Sequence, residues 1–138
     1  MSRERGTITM WMLGLSLLLL AFGGLAIDYW RALAYQRELA AIADSAAVAG
    51  ASGIDESLYR STGELALDPG RTVQLVTRSV DFQGVELTDV EVTLTPGNSA
   101  VTVVVRGAVD VGLLGLFIGD DEPLRVSATA TAFPLRVP

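Results

Sequence analysis

From Ile8 to Ile27 the chain reads ITMWMLGLSLLLLAFGGLAI, twenty residues without a charge. Coiled as an α-helix at about 1.5 Å per residue, such a run is roughly 30 Å long, the thickness of a bilayer core. This one segment constrains the rest. Setting it aside from a chain of 138 residues leaves room for one modest domain of about a hundred residues and not for two. Half of the residues are hydrophobic, only slightly more than an average soluble chain, and the excess is concentrated in the N-terminal run.

Arg3 and Arg5 precede the run. The positive-inside tendency then places residues 1–7 in the cytoplasm as a basic tail, with the transmembrane helix at 8–27 and everything after Asp28 outside, although Arg31 and Arg37 weaken the contrast. Tyr29 and Trp30 fall where an interfacial aromatic belt belongs. A cleavable signal peptide is the competing reading, with Ala32-Leu33-Ala34 as its small-residue cleavage signal. Against it, the apolar run exceeds the usual length of such peptides, and Asp28 and Arg31 separate it from the cut. A retained anchor is the expectation.

The helical pattern continues beyond the span. No proline or glycine interrupts DYWRALAYQRELAAIADSAAV from Asp28 to Val48, and alanine is frequent, so a continuous helix of some 40 residues is expected, its second half (28–50) an exposed stem. On the stem Leu39, Ile42, Ala46 and Ala49 recur at helical spacing, opposite Arg37, Glu38, Asp44 and Ser45. Such a face packs on its own domain, and its small residues, among them Ala43, Ala46 and Ala47, also suit close approach to neighbouring helices. Asp28 sits at the membrane exit, where a carboxylate drawn into lipid is costly unless paired, and Arg31, one turn on, is a partner in reach. The pair reads as an interfacial stop to the span or as an intermolecular contact that sets helix register.

Residues 51–138 read as an exported α+β domain. ASGIDESLYRSTGELALDPG is rich in turn formers, with one helical turn around Glu56 to Tyr59. Asp68 as N-cap and Pro69 at the first helical position open a second helix, which carries Val73, Val76 and Val80 and ends before Gly84. Two strands, Val85 to Thr95 and Ala100 to Val109, flank the turn former Pro96-Gly97-Asn98-Ser99, and a third runs from Leu124 to Phe133. Apolar and polar residues alternate along all three, so a small antiparallel sheet with one apolar face is expected to pack on the long N-terminal helix. Between the second and third strands, Val111 to Ile118 is too short to span a bilayer as a helix. It reads as a buried crossover or as an exposed apolar docking loop.

Little chemistry is available. The chain has no cysteine and no histidine, which removes thiol nucleophiles, imidazole bases and the usual zinc and iron ligand sets. Asp120, Asp121 and Glu122 before Pro123 form an ordinary solvated acidic turn without calcium-loop spacing, and Asp55 and Glu56 read the same way. Net charge is −6 with ten scattered basic residues, so no nucleic-acid footprint is present. Neither an enzyme, nor a cofactor, nor a small-molecule substrate is expected.

Arg5-Gly6 before the apolar run, Gly24 to Asp28 at its exit, and the alanine-rich Ala43 to Ala51, in this order and spacing, resemble the N-terminal module of TadE/TadG-like proteins of the Flp, or tight adherence, pilus apparatus. The resemblance covers about the first 53 residues. It implies an envelope protein of the pilin-like kind with a role in pilus assembly, with the bilayer and other pilin-like subunits or apparatus proteins as partners. Pilin-type processing after Gly6 would call for a glutamate five residues on, and Trp11 stands there. That departure favours the TadG-related branch, whose members keep their anchor. A membrane-tethered binding module unrelated to pili is the alternative.

Overall fold

The computed structural model describes residues 3–110, 112 and 122–135. It divides into two compact units, one of Met1–Ala34 with Val109–Leu124 and one of Tyr35–Ala108 with Arg125–Pro138. Helix α1 (Arg3–Ala51) has 49 residues and contributes to both.

In the first unit α1 is long and apolar enough to cross a membrane. Its large side chains from Ile8 to Phe22 face outward; Trp11 and Leu20, for example, are 76% and 73% exposed, the reverse of a soluble core helix. Ser16, the one hydroxyl in the middle of this run, donates back to the Met12 carbonyl at 2.8 Å. Its polarity is thereby satisfied inside the helix, as a lipid environment demands.

The second unit is an α+β layer pair. α2 (Glu56–Thr62) and α3 (Pro69–Gln83) precede a three-stranded sheet of β1 (Asp89–Leu94), β2 (Val101–Val109) and β3 (Leu124–Ala132), in the order β1-β2-β3. β1 and β2 are antiparallel, with Val90 opposite Val105, Val92 opposite Val103 and Leu94 opposite Val101. Thr102, near the start of β2, meets Thr131, near the end of β3, hydroxyl to hydroxyl at 2.9 Å, which fixes β3 antiparallel to β2 as well. β2 and β3 are neighbours in the sheet; the run from Val111 to Ile118, read as a buried crossover or a docking loop, lies outside the described residues except for Gly112, as do Asp120 and Asp121.

One sheet face and one helix face make the core. Leu39, Ile42, Ala43, Ala46 and Ala47 of α1 pack with Val76 of α3 and with Val101, Val103 and Val105 of β2. The expected face of the stem is thus the buried one, except that Ala49 is only half-buried. Alanines permit this helix to lie close on the sheet, and two glycines take the approach further. A Cβ at Gly50 would stand 2.7 Å from Val76 Cγ2, and one at Gly107 would overlap the phenol of Tyr35, whose ring lies over that point of β2.

Caps and turns follow the sequence signals. Asp68 caps α3 through Arg71 N–H at 2.6 Å, Pro69 is its first residue, and Gly84 closes it at φ 63°. The β1–β2 connection is a 3-10 turn over Pro96–Asn98 with Gly97 at φ 79° and Asn98 at φ 53°. β1 is shorter than its alternation suggests. Tyr35 occupies the space over Gly107, and its hydroxyl donates to the Glu86 carbonyl at 3.3 Å, so residues 85–88 pack Val85 and Leu87 against the core without continuing the strand.

Candidate membrane and assembly surfaces

Tyr29 and Trp30 are 68% and 64% exposed, open to an interface on the turn that ends the apolar run. Arg31 is also exposed, whereas Asp28 is buried at 5%, on the same helix face as buried Gly24 one turn earlier. The sequence groups Asp28 to Arg31 as one interfacial cluster. The structure divides it into an inward carboxylate and three outward side chains. Gly6 lies within the first turns of α1.

Ala43, Ala46 and Ala47 have no exposed surface. Among the two contact roles their size suits, packing on the chain's own domain is the one they fill here. The solvent side of this stretch of α1 carries Ala41, Asp44 and Val48 instead, and Val48, at 59% exposed, is its only large apolar side chain there.

Two grooves flank that ridge in the second unit. One, of about 510 Å³, is lined by Val48, Ala51, Ser52, Ile54, Ala132, Phe133 and Leu135. The other, of about 520 Å³, runs between α1 and α3 along Ser45, Ala49, Leu75, Arg78, Ser79, Phe82 and Gln83. Phe82 is 92% exposed. No sequence reading singled out Phe82, Phe133 or Leu135, because periodicity marks an apolar residue and not the side of the element on which it ends.

The outer sheet face is polar. Arg106 bonds Asp89 at 2.5 Å and Glu91 at 2.8 Å, both across the β1–β2 pair. The Glu91 and Asp89 carboxylates hold the guanidinium pKa above its ordinary value. Glu56 joins Arg60 and Arg71, each at 3.2 Å. Asp55 N-caps α2, and the Ser57 hydroxyl, followed by the Leu58 amide, holds its carboxyl below the usual range. These are exposed structural bonds. Asp55 is a helix cap and Glu56 an ion-pair centre, and Glu122 is exposed.

Residues 6–53 match the family model for Flp pilus-assembly TadE/G-like proteins. It is this segment that is similar to that family. No curated protein and no solved structure matches the chain. The TadE/G-like segment takes in nearly all of α1 and ends at Gly53, where the backbone turns tightly: Gly53 N–H donates to Gly50 at 3.0 Å, and its carbonyl accepts from Asp68 N–H at 2.8 Å. The matched segment therefore takes in the apolar run, Asp28 to Arg31 and the part of α1 that packs on the sheet.

Proposed function

We propose that the protein is a non-catalytic, pilin-like structural or accessory component of a Flp-type pilus or its secretion apparatus. Its N-terminus is cytoplasmic, its α+β domain is extracytoplasmic, and its helix makes contacts with other subunits. The observation that carries this reading is the continuity of α1, in which outward-facing apolar residues of a TadE/G-like module run without a break into the helix that buries Leu39 and Ile42. Such a helix is anchor and scaffold at once.

The test is an anchor exchange. Replacing residues 8–27 with an alternating leucine and alanine segment of equal length keeps insertion and removes the specific side chains. Membrane fractionation should show the chain still anchored, and electron microscopy of cells should show pili lost or sharply reduced. Normal piliation would mean that the span is only a tether. That result would favour a membrane-tethered binding module, a reading supported by the apolar groove at Val48, Phe133 and Leu135.

A further inference from the structure

Arg37, Ala41, Asp44 and Val48 recur along α1 at steps of four, three and four residues. A helix of 3.6 residues per turn brings them within about 60° of one another around its axis, on the side opposite the buried Leu39, Ile42, Ala43, Ala46 and Ala47. All four are exposed. The stripe repeats every seven residues, with Ala41 and Val48 as its apolar positions and Arg37 and Asp44 as its charged ones. Neither charge takes part in an ion pair with a described residue of its own chain. The same step of seven separates Leu13, Leu20 and Ile27, each exposed in the first unit.

We propose that the stripe from Arg37 to Val48 binds the same stripe of a second copy of the chain, parallel to it and shifted by seven residues. The inference rests on the helix-mediated subunit contacts proposed above and names their face and register. Charge decides the shift. Two copies inserted through the same apolar run point the same way, so an unshifted pair sets Arg37 against Arg37 and Asp44 against Asp44, like against like. A shift of seven residues, about 10.5 Å along the axis, sets Arg37 of one copy against Asp44 of the other and Ala41 against Val48, so opposite charges meet while the apolar positions stay in step. Glu38, the acid next to Arg37, lies about a quarter turn off the stripe. Each copy then keeps one of its two charges for a further neighbour, and the contact builds an open row and not a closed pair. Anchors resting at one depth in a bilayer are unshifted and repel; the contact forms when one copy stands further out than the next.

The chain has no cysteine of its own, so disulfide trapping reads the register directly. The full chain, in detergent micelles that fix the depth of neither helix, is oxidised as Ala41→Cys, as Val48→Cys and as an equal mixture of the two. A disulfide needs Cα atoms within about 7 Å, and the shift holds like positions about 10.5 Å apart. The mixture should therefore give at least fivefold more covalent dimer than either variant alone. An unshifted parallel pair would give dimer in each single variant, and an antiparallel pair in Ala41→Cys alone; either result overturns the proposal, as does the absence of dimer. Arg37→Asp or Asp44→Arg, added to both cysteine variants, should cut the mixed dimer at least fivefold, and the two exchanges together should restore it. No recovery in a double exchange with unchanged circular dichroism overturns the charge pairing. Should an exchange misfold, salt replaces it: at about 1 M, where charges are screened within about 3 Å, the mixed dimer should fall, and an unchanged yield overturns the pairing. No pilus is needed here, so failure of this contact is distinct from failure of the anchor exchange.

Discussion

Thr72 and Gly107 show how single positions hold the α+β unit together. Thr72 has no exposed surface, and its hydroxyl has no hydrogen-bond partner among the described residues. A buried polar group left unsatisfied costs about 1–3 kcal/mol. Thr72→Val keeps the shape and deletes the hydroxyl, so thermal unfolding of the variant should show equal or greater stability, by up to about 1 kcal/mol; a clear loss would reveal a bond to bound water. Gly107 is the opposite case, since nothing larger fits beneath Tyr35. Gly107→Val should destabilise the unit by about 1–3 kcal/mol through overpacking, measured by denaturant titration. Neither role was legible in the sequence, where Thr72 is one polar residue on an amphipathic helix and Gly107 interrupts a run of valines. Both depend on what another element places opposite them. Asp55 was legible as a turn residue but not as a cap. Because its folded pKa lies below the ordinary value, the cap contributes above the unfolded carboxylate pKa near about 4 and is lost as pH falls through the folded one. Protection of the α2 amides relative to their intrinsic exchange rate should therefore fall on acidification below that range, and Asp55→Asn should flatten the dependence.

At the scale of elements, local signals sufficed where local chemistry decides. Asp68-Pro69 and Gly84 bracket α3, and Pro96-Gly97 makes the turn between β1 and β2, because caps and turns are settled by a few neighbouring residues. Alternation likewise found all three strands. It overextended β1 because Tyr35, more than fifty residues earlier, holds the Glu86 carbonyl. The alanines of the stem illustrate the same boundary: their small size was readable, but their partner was not. Leucine at Ala43, Ala46 and Ala47 adds bulk to fully buried sites and should cost about 1–3 kcal/mol each. The structure also changes what that experiment reports, because lost piliation in such variants would follow from a damaged core. A variant at exposed Val48, such as Val48→Asp, probes the outer surface of α1 without that cost; thermal unfolding should show it unchanged within about 0.5 kcal/mol.

For the whole molecule, the decisive question is whether the chain keeps its first helix. A cut after Ala34 would separate the apolar span from the unit that begins at Tyr35, and Leu39 and Ile42 would still have their core. Folding of the second unit therefore does not select among the fates, and the decision falls to the processing signals. Charged Asp28 and Arg31 lie between the apolar run and Ala32-Leu33-Ala34, which disfavours signal peptidase. Trp11 stands where pilin-type processing after Gly6 calls for glutamate. We therefore expect intact-mass measurement of protein purified from membranes to show residues 7–34 retained, with or without Met1. Protease added to spheroplasts should digest the chain beyond Asp28 and leave a tag ahead of Arg3 protected, as the basic residues before the span require. A mass lacking only the first six residues would make the chain a processed pseudopilin. A mass lacking 34 would make it a secreted soluble protein, and a protected domain would reverse the orientation.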